Sequence, residues 1–321
     1  MPDVLQLKDV ERPQPLDDEV LVEVHAASVN AYDWHFLTAD VFLIRLMSGG
    51  LFRPKRTTLG ADIAGRVIAV GKNVGHFQLG DKVFGTAKGG TGGFAEFVCA
   101  SPKALALKPA NLSFEEAAAV PIAAITALQG LRDKGRIKSG DHVLIHGASG
   151  GVGTFAIQIA KAFGANVTAV CSSRNRETAR SLGADNTIDY TVEDFTSRRE
   201  LYDLIFVANG NRSLFEYKRS LKPNGICVLA GGGNTSIFQI LKGLMVAYWI
   251  SKTGSSKVAP FLARIKQEDL AAMKGLLESG AVKPVIDRCY PLKDAAEALR
   301  YLGQGHARGK VVITMDPART T

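Results

Sequence analysis

Apolar positions along the chain fall into two textures. Up to about Pro121, β-branched runs such as "EVLVEVHAASV", "IAGRVIAVG" and "DKVFGT" are short and separated by Gly, Pro and Asp turns. That is the pattern of an irregular, mostly antiparallel β domain. From Ile122 onward, strand-like runs alternate with helix-like ones. The strands are "HVLIHG", "NVTAVCS", "NTIDY", "YDLIFVA" and "GICVLAG", with segments such as "FAIQIAKAF" and "RETARSLG" between them. The alternation predicts a parallel sheet covered on both faces, and hence an α/β chain. Near the end, "VIDRCYPL", the short helix "KDAAEALRYLG" and the strand "GKVVITM" are expected to return to the first domain. The organisation expected is a β-rich domain over 1–121, a doubly wound domain over 122–265 and a return to the first over 266–321.

One corner of this pattern carries chemistry. Gly147, Gly150 and Gly153 are spaced G-x-x-G-x-x-G between a strand ending near His146 and a helix beginning near Gly151. Glycine lets the backbone turn tightly and approach a ligand, and a helix N-terminus presents free N–H groups with a partial positive charge. The backbone from Ala148 through Ser149, Gly150, Gly151 and Val152 to Gly153 is therefore expected to hold the pyrophosphate of a dinucleotide. The end of the next strand indicates which one. An NAD site places an acid about 20 residues beyond the glycines, but this chain has "CSSRNR" there, with no acid before Glu177. Ser172, Ser173 and Arg174, with Arg176 nearby, predict a grip on the extra phosphate of NADP. A solvated helix start is the plainer alternative for these arginines.

Charge, length and cysteine usage narrow the classes left. The 321 residues carry a formal charge of +8, but 31 acids are interspersed with the 39 basic residues. A solvated basic surface is expected rather than a specific nucleic-acid partner. No apolar run reaches the roughly 20 residues needed to span a bilayer, and the N-terminus shows no secretory signal pattern. The four cysteines are far apart and form no C-x-x-C pair. A cytoplasmic, reducing location is expected. The segment Ser236–Ile250, "SIFQILKGLMVAYWI", is apolar with an aromatic pair. It leaves open the mouth of an acceptor pocket, a homodimer interface, peripheral membrane contact and ordinary core packing.

The segments "VNAYDWH", "LGADIAGRVIAVGKNV", "GDKVFG", "GGFAEFV", "VPIAAITALQGL", "GASGGVG", "SLGAD" and "HARGKVVIT", in this order over nearly the whole length, resemble a zinc-independent medium-chain dehydrogenase/reductase. The resemblance is to the quinone oxidoreductase group, near its NADPH-dependent alkenal/quinone reductases. It implies a GroES-like catalytic domain and a Rossmann domain, with the nicotinamide between them. In the zinc members of the superfamily, a catalytic cysteine falls where Asn30 stands and a histidine where Ala61 stands. Their structural zinc lobe falls at "GTAKGGTG", which has no cysteine. His25, His35, Asp33 and Asp62 remain but lack ligand spacing, so no metal site is expected.

The resemblance further implies that Asn30 lies beside the nicotinamide ribose and the acceptor; Asp62 is a second candidate catalytic side chain, which could orient donors in the cleft or simply hold a turn. Thr126 would contact the nicotinamide end, Tyr190 would pack near the adenosine phosphate, and Gly231, Gly232, Gly233 and Lys310 would approach the cofactor. Without zinc to stabilise an alkoxide, alcohol oxidation is hard. A quinone or α,β-unsaturated carbonyl spreads the incoming charge onto an oxygen that hydrogen-bond donors can stabilise. Hydride transfer from NADPH to such an acceptor is the expected reaction. The alternatives are a zinc-free enoyl-thioester reductase, which would need a tyrosine in the "DWHFLTADVFLIRL" stretch that has none, and a non-enzymatic NADPH-binding or RNA-binding crystallin-like protein.

Overall fold

The computed structural model describes residues 2–38, 57–198, 200–210, 212–230, 237–253 and 255–315. Gly231, Gly232 and Gly233 therefore lie outside the described residues. The chain divides into two compact units, one of residues 1–125, 265–280 and 284–321, the other of 126–264 and 281–283.

In the first unit, β1 (Val20–Val29), β2 (Asp62–Val70), β3 (Lys82–Thr86), β4 (Phe97–Ala100) and β5 (Leu105–Leu107) precede the second unit. The second contains β6 (His142–His146), β7 (Asn166–Cys171), β8 (Asn186–Asp189), β9 (Tyr202–Val207), β10 (Leu221–Leu229) and β11 (Lys257–Pro260). The chain then returns to the first unit as β12 (Ile286–Pro291) and β13 (Lys310–Thr314).

The first sheet has the order β12-β13-β1-β2-β3-β5, with β4 also on β1. β1 is its hub, because Val20, Val22 and Val24 alternate with the less buried Glu23 and His25 and feed a core shared with Ile63, Val83, Val311 and Ile313. β1 runs antiparallel to both β2 and β13, pairing Ser28 with Asp62 on one side and with Val312 on the other. The C-terminal end of β1 thus meets the N-terminal ends of β2 and β13.

The second sheet has the order β11-β10-β9-β6-β7-β8, and every pairing in it is parallel. In sequence order within the unit this is 6-5-4-1-2-3, the doubly wound arrangement, with its reversal point between β6 and β9. Parallel strands covered on both faces lose the polar-apolar alternation, and Val143 to His146 are accordingly all buried. The helices Gly151–Ala162 and Arg176–Ser181 follow β6 and β7. Residues 281–283 join this unit through Gln158, whose side chain donates to the Lys283 carbonyl at 2.9 Å and accepts from its N–H at 2.8 Å. The apolar segment beginning at Ser236 forms most of the helix Ile237–Thr253. Ala247 and Ile250 enter the core, while Met245, Tyr248 and Trp249 are exposed.

Candidate functional site

In the second unit, the glycine turn leaves β6 at its C-terminal end, beside the reversal point of the sheet. Gly147 adopts φ +81°, and a Cβ there would lie 2.6 Å from the Asn209 carbonyl oxygen. A Cβ on Gly153 would lie 2.1 Å from the Gly147 carbonyl oxygen, so both glycines are demanded by the fold itself. Gly150 is different. Its φ of −80° suits any residue, yet the position carries no side chain. The N–H groups of Gly151, Val152 and Gly153 open the helix and lack intrahelical acceptors. Ala148 instead donates its N–H to the Val170 carbonyl at 3.2 Å, and its contribution to the turn is shape. A bare Gly150 beside helix N–H groups that lack intrahelical acceptors fits the pyrophosphate of a dinucleotide.

At the end of β7, the residues expected to choose the cofactor separate. Arg174 is exposed and has no hydrogen bond or ion pair with any other described residue. Arg176 donates to Thr187 Oγ1 at 3.0 Å. Ser172 Oγ accepts from the Asn175 amide at 3.1 Å and keeps its own hydrogen to donate. Ser173 donates its hydroxyl to Asp189, which also accepts from Thr191, and these bonds hold the Asp189 carboxyl below its usual range. Tyr190 follows β8 and is 56% exposed. Thr126 is buried in the helix Pro121–Gln129. Beneath the turn, a residue absent from the expected set appears: His146 Nδ1 lies 2.8 Å from the Tyr217 hydroxyl. Burial holds its pKa down to about 4, so the ring is neutral at physiological pH.

In the first unit, the meeting of three strand ends gathers Ser28, Asn30, Asp62 and Lys310, all buried. Asp62 accepts from Ser28 Oγ at 3.1 Å, from Asn30 Nδ2 at 3.0 Å and from the Ile122 N–H at 3.1 Å. The last contact caps the helix that begins with Pro121, whose imino nitrogen has no hydrogen to offer. Lys310 Nζ donates to Asn30 Oδ1 at 2.6 Å and to the Val29 carbonyl at 3.4 Å, and lies 3.7 Å from Asp62 Oδ2. Burial pushes Asp62 up and Lys310 down, and each charge opposes the shift of the other.

Asp33 joins this corner. Its carboxylate accepts from the Asn30 N–H at 2.9 Å and the Gly60 N–H at 3.1 Å, while burial, with a smaller push from Asp62, raises its pKa to about 7. The sequence signal was an Asn-x-x-Asp opening of the helix Ala31–Thr38, the pattern by which a third residue reaches back to a cap.

Zinc does not fit this donor set. Asn30 and Ala61 supply neither thiolate nor imidazole, the Asp62 oxygens are already engaged, and the Lys310 amino group stands 3.7 Å from one of them. Among the described residues no group of three or more His, Cys, Asp or Glu could hold a metal ion.

Comparison with known proteins sets this geometry in a family. The description "Alcohol dehydrogenase GroES-like domain" matches residues 16–110, and "Zinc-binding dehydrogenase" matches residues 182–313. A chloroplast envelope quinone oxidoreductase homolog from Arabidopsis thaliana is 35% identical, covering 94% of this chain and 91% of its own. The chain belongs to the quinone oxidoreductase group of the medium-chain dehydrogenase/reductases. It is an oxidoreductase of mixed α/β fold, with a GroES-like domain and a Rossmann-like parallel sheet. The 2-methylene-furan-3-one reductase of Solanum lycopersicum is 36% identical over 97% of this chain and 76% of its own. The quinone oxidoreductase of Coxiella burnetii superposes with a TM-score of 0.87 at 32% identity, over 98% of this chain and 96% of that one. Among the described residues no helix is long and apolar enough to cross a membrane.

Proposed function

We propose that this oxidoreductase reduces a quinone or an α,β-unsaturated carbonyl with NADPH and without a metal ion. NADPH, when bound, supplies the hydride. The turn from Ser149 to Gly153 holds its pyrophosphate, Ser172 and Arg174 hold the 2′-phosphate, Tyr190 flanks the adenosine end and Thr126 the nicotinamide end. Asn30 meets the ribose through its side-chain oxygen, with Asp62 behind it.

The observation that carries this reading is that Asn30, Asp62 and Lys310 engage one another in a buried corner that offers neither thiolate nor imidazole. A conjugated acceptor can accept hydride without a Lewis acid because its charge delocalises onto oxygen, whereas alkoxide chemistry gains most from a metal. The names of the Arabidopsis and tomato relatives, one a quinone oxidoreductase homolog and the other a reductase of a methylene-furanone, support such an acceptor. A cytoplasmic location belongs to the proposal, although the Arabidopsis relative is named for the chloroplast envelope.

NADPH oxidation measured in parallel with a quinone, an alkenal and an acyl thioester tests the reading. Turnover of the quinone or the alkenal is expected. Turnover of the acyl thioester alone would make the protein an enoyl-thioester reductase, and NADPH binding without turnover of any of the three would make it a binding protein.

A further inference from the structure

Lys310 reaches Asn30 from 280 residues away in sequence, and what it does there goes beyond charge balance. We infer that Lys310 and Asp62 form a buried polarity lock that holds the Asn30 side-chain amide in one orientation, so that Asn30 offers an oxygen and not an N–H to whatever it meets. The role assigned to Asn30 rests on the proposed function; the lock itself does not.

An amide has two distinguishable ends. On one side of Asn30 stands the Lys310 amine, which faces two carbonyl oxygens and so donates; on the other stands the Asp62 carboxyl, which accepts from Ser28 and the Ile122 N–H. The Oδ1 lies 2.6 Å from Lys310 Nζ, and Nδ2 lies 3.0 Å from Asp62 Oδ2. A flip of the amide would set an NH2 against the amine and a carbonyl against the carboxyl. The second hydrogen on Nδ2 is also engaged, by the Ser28 carbonyl at 3.3 Å. Both donors of the amide are thus committed inside the unit, and the remaining lone pair of Oδ1 is its capacity for a further partner.

The partner that fits is a hydroxyl, such as one on a ribose, rather than the oxygen of an acceptor. Lys310 is itself 3% exposed, which gives its ammonium little surface to present to a phosphate. It is a positioning residue acting through Asn30. Asp62 completes the lock and is held in turn by Ser28 and the Ile122 N–H.

Two measurements test this. In protein labelled with nitrogen-15 at asparagine side chains, the Asn30 resonance is identified by its loss in Asn30→Ala, and its hydrogen exchange is followed without substrate. Strong protection in the wild type is expected; exchange as fast as that of a surface asparagine would overturn the lock whatever reaction the enzyme performs. The second measurement uses Lys310→Met/Asp62→Asn, which removes both charges together and so avoids stranding one of them. The amide introduced by Asp62→Asn can present either its oxygen or its nitrogen, and Asn30 then has no preferred orientation. With the acceptor that the wild type turns over, kcat/KM should fall about tenfold, the worth of one such hydrogen bond. The same pair of changes in an Asn30→Ala background should alter it less than about twofold. An equal fall in both backgrounds would show that Lys310 and Asp62 act on the reaction without Asn30. A wild type inactive with every acceptor would refute the proposed function and leave the exchange measurement to decide the lock.

Discussion

A Cβ on Gly150 would lie 3.8 Å from the Gly147 carbonyl oxygen, ordinary contact distance, and beyond the adjoining backbone no other atom of the described residues would lie within 4 Å. The protein itself therefore leaves room for a side chain at Gly150. Gly150→Val should fold, keep its circular dichroism and lose NADPH binding in a calorimetric titration. Gly153→Val should fail differently, because its side chain would drive into the turn at 2.1 Å from the same oxygen. Wild-type NADPH affinity in Gly150→Val would show that the phosphates lie elsewhere.

Arg174 and Arg176 stand on either side of Asn175, but only Arg176 is held by a neighbour, Thr187. Arg174→Ala should weaken NADPH binding roughly 10- to 100-fold, the range of a charge-assisted hydrogen bond. NADH binding should hardly change, and the loss should shrink with added salt because the contact is exposed. Dissociation constants for both cofactors in Arg174→Ala and Arg176→Ala decide the matter. Equal losses for NADH and NADPH would refute phosphate recognition at this position.

Asp33 makes stability depend on pH in a definite direction. Its carboxyl titrates at about 7 in the folded chain against 3.8 as a free side chain. Between these values the folded state keeps a proton that the unfolded state has lost, so the contribution is fully present below the lower value and gone above the higher one. Urea unfolding across this window should show wild-type stability falling relative to Asp33→Asn by up to about 1.4 kcal/mol per pH unit. The amide also replaces one of two oxygens that accept N–H groups, which offsets the variant by an amount independent of pH. Parallel pH profiles of the two proteins would mean that Asp33 is ionised throughout.

Metal independence has its own check. Dialysis against a strong chelator, followed by metal analysis and assay, should leave activity intact, because the Asn30 corner offers neither thiolate nor imidazole and its Asp62 oxygens are engaged by Ser28, Asn30 and Ile122. Loss of activity restored by zinc alone would contradict this.

The sequence made some of this legible and hid the rest for physical reasons. The strands β6 to β10 and the turn after β6 could be read because parallel strands and a glycine corner leave local signals. β11 could not: it is a four-residue edge strand ending in Pro260, too short to leave a periodic signal. The helix Ile237–Thr253 is apolar on its exposed face as well as its buried one, so its composition alone gave no orientation. Asn30, Asp62 and Lys310 could each be singled out, but their convergence depends on the antiparallel register of β1 with β2 and β13, a long-range fact that no local pattern carries. Ser173 was expected to face the cofactor phosphate, yet its hydroxyl turns to Asp189, an acid on the next strand that lies beyond the window in which the cofactor signature is read.

The central claim, metal-free hydride transfer to a conjugated acceptor, is tested most directly by following the label from NADPH deuterated at the transferring position of nicotinamide C4. With an α,β-unsaturated ketone and chelator-treated enzyme, the deuterium should appear on the β-carbon of a saturated ketone, with the α-carbon protonated from solvent. Deuterium on the carbonyl carbon of an allylic alcohol would contradict the account, because it would mean reduction of the carbonyl itself, the chemistry for which a metal is the expected aid.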